Sequence, residues 1–493
     1  MAQRKKPRRR PQQQSALPRP RHQKSQPSRH DKRRRLEQAN PDRRPTTRAR
    51  FPLVGGLATA VAKMAGALDA RMSFRLAIIV AGMLLADDRR TASSWFVAAG
   101  VHDDWDRFYD ALISIGRQSR DVSEVVLRFV IEKLDPGPGG RITLAIDDTP
   151  EKRYGRHVEG AGVHHDPTPG PAGGEFFYGH NWVSLAWLAK HPRWGVIALS
   201  LRSLLSVRQV DVPRLDAKRG WTFATKHQLA AQLVSWFVAT LRSWKLERVV
   251  WVVVDGAYAA RPFLDAVLAE GAVVVSRLRK DAALFDLPPA RTPGQRGRPR
   301  KYGAKLSLAK RAAHPDGWQS ITYPCRGVEV TREFKTFLAM SHLADQPIRV
   351  VLVRFDDGGW VGYFCTDPNA TVRDILEAAA DRWAIEEHFH DVKEIWGAGQ
   401  QQVRNVWSNI GCWHLNQWLH TLVELASWDE AAATLVNRTA RPWDNANRRP
   451  SHADRRRTMA REILRAEFPA TRLTTPETQK YLALAESLLD LCT

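Results

Sequence analysis

Cysteine is scarce: the 493 residues hold only Cys325, Cys365, Cys412 and Cys492, with no CxxC spacing among them. A disulfide framework and a cysteine-built zinc site are therefore excluded, and a reducing compartment is expected. Long apolar runs are missing as well. The longest, Leu76 to Ala86, ends in Asp87-Asp88-Arg89-Arg90 and falls short of the roughly 18 residues that a membrane span requires. No apolar segment follows the basic start within the first 40 residues, so no secretory signal is expected and the reading is a soluble, cytoplasmic protein. Acid is in deficit too, with 52 Asp and Glu against 75 Lys and Arg, a formal net charge of +23. At 43% hydrophobic residues the chain can nevertheless build a sizeable core, and its length suits two to four domains. Excess positive charge on such a surface points to a polyanionic partner.

The charge is unevenly placed. Residues 1–50 carry 18 Lys or Arg against Asp31, Glu37 and Asp42, which leaves +8 for all the rest. With seven prolines and few large apolar residues this arm cannot offset its chain entropy, and it reads as a disordered basic tether for nucleic acid. Residues 51–138 have helical periodicity, with Leu76, Ile79, Val80, Met83 and Leu84 on one face, and predict a helical domain suited to DNA binding. Asp135-Pro-Gly-Pro-Gly-Gly140 then breaks the pattern.

Beyond the break, Arg141–Ile146, Trp182–Leu188, Val196–Leu201 and Val249–Val254 read as strands and Lys226–Trp244 as an amphipathic helix. A strand-rich stretch covers about residues 281–367, and Thr371–Glu394 reads as one long helix. The alternation predicts a mixed α/β sheet over residues 139–400, with a helical region over 401–493.

Two strands end in acids, at Asp147-Asp148-Thr149 and at Asp255-Gly-Ala-Tyr258, and the crevice of an open α/β sheet lies off strand ends. The long helix adds Arg382-Trp-Ala-Ile-Glu386-Glu-His-Phe-His-Asp-Val-Lys393. At about 100° per residue, Arg382, Glu386 and Lys393 fall within roughly 40° of one another. One stripe thus offers a carboxylate for a metal and two cations for a phosphate backbone. In isolation such a stripe reads first as a solvated face with an i, i+4 ion pair, a reading that the flanking Trp383, Ile385 and Phe389 weaken.

These three motifs, in this order and with a β-rich insertion before the last acid, resemble the bacterial insertion-sequence transposases of the DDE superfamily. The resemblance covers about residues 70–460. It implies an RNase H-like mixed sheet with the β-rich insertion, flanked by helical N- and C-terminal regions. It also implies Asp147, Asp255 and Glu386 as catalytic metal ligands, Mg²⁺ or Mn²⁺ as cofactor, two ions in all, and Arg382 and Lys393 as phosphate contacts. Water would cut the transposon end and the freed 3′-hydroxyl would attack target DNA, the chain acting as a homodimer on paired ends and associating with the nucleoid. The family motif Tyr-x2-Arg-x3-Glu-x6-Lys has Ala379 in place of its Tyr here. Asp148 and Glu387 stand beside the matched acids and compete with them. A catalytically inactive, transposase-derived DNA-binding regulator is the alternative reading, and an RNase H-like nuclease a third.

Other features are local. Arg296-Gly-Arg298-Pro-Arg300-Lys301 lies in an acid-free stretch from Leu287 to Pro315 and resembles an AT-hook, so DNA contact is expected of its Arg and Lys. Residues 155–174 hold six Gly and three Pro and read as a loop at the catalytic mouth. His164-His165 and His388-Phe-His390 lack ligand spacing and are expected not to bind metal.

Overall fold

The breaker cluster at residues 135–140 separates a helical start from the sheet, as its Pro and Gly content requires. The computed structural model describes residues 52–166, 174–290, 296–436, 438, 443–445 and 447–466. The basic arm expected over residues 1–50 lies outside them, as do residues 467–493 of the expected C-terminal region. Helices α1 (Gly55–Ala65), α2 (Ala70–Leu85), α3 (Ala92–Ala98), α4 (Trp105–Arg117) and α5 (Ser119–Leu134) come first. Then follow β1 (Arg141–Lys152), β2 (Gly162–His165), β3 (Phe176–His191), β4 (Gly195–Ser206), α6 (Val212–Arg219), α7 (Lys226–Ser243), β5 (Val249–Val254), α8 (Arg261–Ala269) and β6 (Val273–Leu278). The strand-rich stretch supplies β7 (Leu284–Phe285), β8 (Lys305–Leu306), α9 (Leu308–Ala313), β9 (Gln319–Cys325), β10 (Val328–Ser341), β11 (Ala344–Arg354) and β12 (Trp360–Cys365). The chain continues through α10 (Val372–Asp381), α11 (Trp383–Glu394), α12 (Val406–Ala426), α13 (Ala432–Leu435) and α14 (His452–Ala466). No helix among the described residues is long and apolar enough to cross a membrane.

The central strands lie in the order β4-β3-β1-β5-β6. β1, β5 and β6 are parallel, while β3 runs antiparallel to both β1 and β4. Helix α7 makes the crossover from β4 to β5, started by a capping box between Thr225 and Gln228, and α8 joins β5 to β6. This is the RNase H-like order. The strand-rich stretch does not fold away from it: β12 pairs antiparallel with β6, and β11, β10, β7 and β8 carry the same sheet onward.

The pleat sorts the sheet into two faces. Leu144 and Ile146 of β1 and Val252 and Val254 of β5 pack with Leu233 and Phe237 of α7. Ala145 faces the other way, against Ile385 and Phe389 of α11, and Val253 meets Ile375 and Ala378 of α10. A further core joins the first five helices to α12 and α14, with Phe96, Phe108, Trp418 and Ile463 among its members, so the two helical regions expected at the ends of the chain share one interior. Helices α4 and α12 cross there at Gly116 and Gly411. A Cβ on Gly116 would lie 1.8 Å from the Trp407 carbonyl oxygen, and one on Gly411 would lie 2.2 Å from that of Leu112.

The helix expected over Thr371–Glu394 is divided at Arg382. That residue keeps helical dihedrals (φ −53°, ψ −31°), but the Ile385 amide bonds back to its carbonyl at 3.1 Å. The division is a turn tightened to i, i+3 pairing.

Candidate active site

Parity along β1 decides what each acid can reach. Asp147 shares the face of Ala145 and therefore looks toward α10 and α11, whereas Asp148 shares the face of Ile146 and looks toward α7. Parallel pairing sets Ile146 opposite Val254, so Asp147 and Asp255 leave neighbouring strands one residue further along. β5 stops there, and Gly256–Tyr258 form a 3₁₀ turn that leaves Asp255 exposed. Glu386 arrives from the first turn of α11, held against the sheet by Ile385 and Phe389.

One guanidinium closes the arrangement. Arg382 donates through Nη1 to Asp147 Oδ2 at 2.7 Å and through Nη2 to Glu386 Oε1 at 2.6 Å. Burial pushes the Asp147 carboxyl up to about 6, and the charges of Asp148 and Asp255 add to this while Arg382 opposes it. Burial works against the Arg382 cation, but Asp147 and Glu386 outweigh it, with Asp255 contributing, and raise its pKa. Asp147, Asp255 and Glu386 are thus brought to one place.

Asp148 is occupied elsewhere: Lys226 holds its Oδ2 at 2.6 Å and the Tyr258 hydroxyl donates to its Oδ1 at 2.9 Å. Burial, followed by the charge of Asp148, raises the Tyr258 hydroxyl well above its ordinary pKa. Glu387 is exposed, one residue round the helix from Glu386. Lys393, at the far end of α11, donates to Thr149 Oγ1 at 2.7 Å, and burial lowers its pKa. Arg382 and Lys393 therefore meet protein groups on β1 here.

Arg296, Arg298, Arg300 and Lys301 are exposed between β7 and β8, with Lys301 paired to Asp345 at 2.5 Å. Six strand steps separate β1 from β7, roughly 29 Å along the sheet, so this basic segment stands apart from the acids.

Sequence reasoning missed a buried polar group directly beyond the acids. Continuing the odd face of β1, Glu151 accepts from Arg153 at 2.9 Å and from the Trp182 indole at 2.8 Å, with His180 Nδ1 at 3.3 Å. Burial alone would raise Glu151, but Arg153, His180 and Trp182 outweigh it and bring its pKa down to about 2. Arg153 also donates to the Gln401 carbonyl at 2.6 Å. A cleft of about 900 Å³ opens beside this group, with Arg89, Lys152, Tyr154, Lys393 and Arg404 along its walls. The signal was the i, i+2 run of polar residues Asp147, Thr149, Glu151 and Arg153, once β1 is extended beyond Ile146.

Sequence also gave no sign that the tip of the β9–β10 hairpin reaches the start of α11. The Arg326 guanidinium lies 3.9 Å from the ring centroid of Trp383, which is 37% exposed.

The sheet thus has the RNase H-like strand order and gathers Asp147, Asp255 and Glu386 at one place. The sequence profile of the DDE superfamily endonucleases matches residues 63–336, more than half of the chain, and the chain belongs to that family. The matched stretch takes in Asp147 and Asp255 and ends before Glu386. Enzymes of this family use divalent metal ions. Among solved structures, the chain is similar to the piggyBac transposase in a cryo-EM synaptic complex with hairpin DNA, at 10% identity and a TM-score of 0.38, covering 91% of this chain and 79% of that one. No curated protein matches the sequence.

Proposed function

We propose that the chain is a DNA transposase that cleaves the ends of its element and joins the freed 3′-hydroxyl to target DNA. The observation that carries this reading is the gathering of Asp147 and Glu386 about one guanidinium, with Asp255 beside them. The donor set is all oxygen, as Mg²⁺ or Mn²⁺ prefers. Burial, with the charges of Asp148 and Asp255 added, disfavours the ionised Asp147 carboxylate, and positive charge brought to this place would offset that, so the residues fit such ions. Asp147, Asp255 and Glu386 would hold a pair of them, which when bound activate an attacking oxygen and stabilise a leaving one.

The chain's own contribution is placement. Arg382, which here neutralises two carboxylates, is free to turn to a non-bridging phosphate oxygen once other positive charge reaches those acids. Lys393 stands on the wall of the neighbouring cleft, where its ammonium can meet a second phosphate. Arg296, Arg298 and Arg300, exposed and far from the acids, suit flanking duplex. Two copies of the chain would bring two ends together.

The test is cleavage of a labelled cognate DNA end. Asp147→Ala, Asp255→Ala and Glu386→Ala should each abolish nicking and strand transfer in Mg²⁺ while end binding persists, and excess EDTA should do the same to the unaltered protein. Cleavage retained by Asp147→Ala, or undiminished in EDTA, sinks the assignment.

A further inference from the structure

Behind the catalytic helix lies a second set of donors that the proposed reaction does not use. His388 and Asp391 sit one turn apart on α11, His420 projects from α12 and His452 from α14. Asp391, His420 and His452 each offer a ligand atom within 4.8 Å of the others. His420 Nε2 lies 3.7 Å from Asp391 Oδ2, and the His388 ring meets the His420 ring edge-on at 4.4 Å between centroids. The three histidines are 2%, 2% and 3% exposed, while the Asp391 side chain remains 29% exposed and leaves a way in from solvent.

The hydrogen bonding at this place is incomplete. Both ring nitrogens of buried His388 lack a protein partner, and so does Nδ1 of His420. Buried polar atoms are almost always satisfied, and a neutral imidazole carries one lone-pair nitrogen, so His388 can offer one of its two orphaned nitrogens and His420 its Nδ1 to an ion beside the carboxylate. His452 is better provided for: it accepts from the Trp396 indole at 2.8 Å through Nε2, and its Nδ1 lies 2.7 Å from Glu424. A carboxylate on one imidazole nitrogen is the usual way to orient a ligating histidine.

We infer that His388, Asp391, His420 and His452 form a site for one borderline divalent ion of the Zn²⁺ class, separate from the catalytic carboxylates. Neutral imidazoles with a single carboxylate are a nitrogen-rich set that Zn²⁺ takes in preference to Mg²⁺. The His420 and His452 rings now stack at 4.0 Å with 20° between their planes, so one of them turns to bring its lone pair onto the ion. His452 would at the same time give up its bond from Trp396. The ion would tie α11, which carries Glu386 and Lys393, to α12 and α14. No sequence spacing announces the site, since its donors are scattered over residues 388–452.

The experiment is elemental analysis of the full chain, purified without a histidine tag or chelator, followed by titration with Co²⁺ in place of Zn²⁺. The expected result is close to one zinc per chain, with Co²⁺ giving the visible absorption of four-coordinate nitrogen and oxygen ligation. Asp147→Asn with Asp255→Asn should keep the zinc, and His388→Gln with His420→Gln should lose it. Added Zn²⁺ should raise the thermal midpoint of the former but not of the latter. Should the histidine variant fail to fold, the Co²⁺ spectrum of the carboxylate variant decides alone. An unaltered chain that takes up no zinc, or zinc that leaves with the catalytic carboxylates, overturns the inference.

Discussion

Replacing Asp147 by Asn should make the metal-free protein more stable at neutral pH while destroying its activity. The folded chain holds this carboxyl near 6, against an ordinary value of 3.8. Because the folded value is the higher one, the folded state holds its proton more tightly, and stability falls as pH rises from about 4 to about 6. Each tenfold in proton affinity is worth about 1.4 kcal/mol, so the ionised group costs up to about 3 kcal/mol at pH 7.5. Asp147 is 20% exposed at the side chain, and solvent screening brings the expected gain on removing the charge to about 1–3 kcal/mol. Thermal unfolding of the two proteins over pH 4 to 8 in EDTA should show the variant with the higher midpoint at pH 7.5, the gap closing toward pH 4. Added Mg²⁺ should then raise the midpoint of the unaltered protein more than that of the variant. A variant that is less stable at pH 7.5, or a gap that does not depend on pH, would refute the argument that burial strains this carboxylate.

Glu151→Gln should cost about 3 kcal/mol, read as a lower thermal midpoint at pH 7, because it leaves the Arg153 cation buried without its carboxylate. That contribution is complete above about pH 4.5 and is lost as pH falls toward 2, the reverse of the trend at Asp147. Gly116→Val should destabilise by more than about 3 kcal/mol, or prevent soluble expression, since the new Cβ meets the Trp407 carbonyl at 1.8 Å. Deleting residues 1–50 removes 18 cations and should flatten the salt dependence of non-specific DNA binding by about 0.9 in log–log slope for every phosphate that the arm neutralises. An unchanged slope would make the arm a passive tail.

Much of this was written in local patterns. Val249–Val254 reads as a strand at its observed limits, because an apolar run bounded by turn residues has few other fates. The acids at Asp147 and Asp255 were legible as strand ends, although β1 itself runs on to Lys152 with Asp147 inside it. Strand parity also settles what sequence left open between Asp147 and Asp148 as to direction: one faces α11, the other Lys226. What could not be read were non-local pairings. Nothing in β12 says that it adds to β6, and nothing in α12 says that Trp418 completes a core begun at Leu57. Likewise the histidines at 388, 420 and 452 become neighbours only when three helices pack together.

Helix α11 owes its place to long-range pairs as much as to its apolar side. Arg382 and Lys393 are eleven residues apart, roughly 16 Å along a helix, yet they reach Asp147 and Thr149, about 6.6 Å apart on one strand. Both long side chains therefore lean inward over the same stretch of β1, and Glu386 lies between their points of origin. Burial is the main cause of the raised Asp147 pKa, and the charges of Asp148 and Asp255 add to it while Arg382 opposes it. The cation beside them is an arginine, whose planar fork spans two carboxylates where a lysine would meet them as a point charge. Arg382 thus holds Asp147 and Glu386 together, and the same bidentate fork would suit a phosphate were other positive charge to hold those acids. A lysine at this position would preserve the charge and lose the bridge, so Arg382→Lys should weaken cleavage far more than it weakens DNA binding. Equal losses in both would mean that Arg382 serves only to bind the DNA backbone.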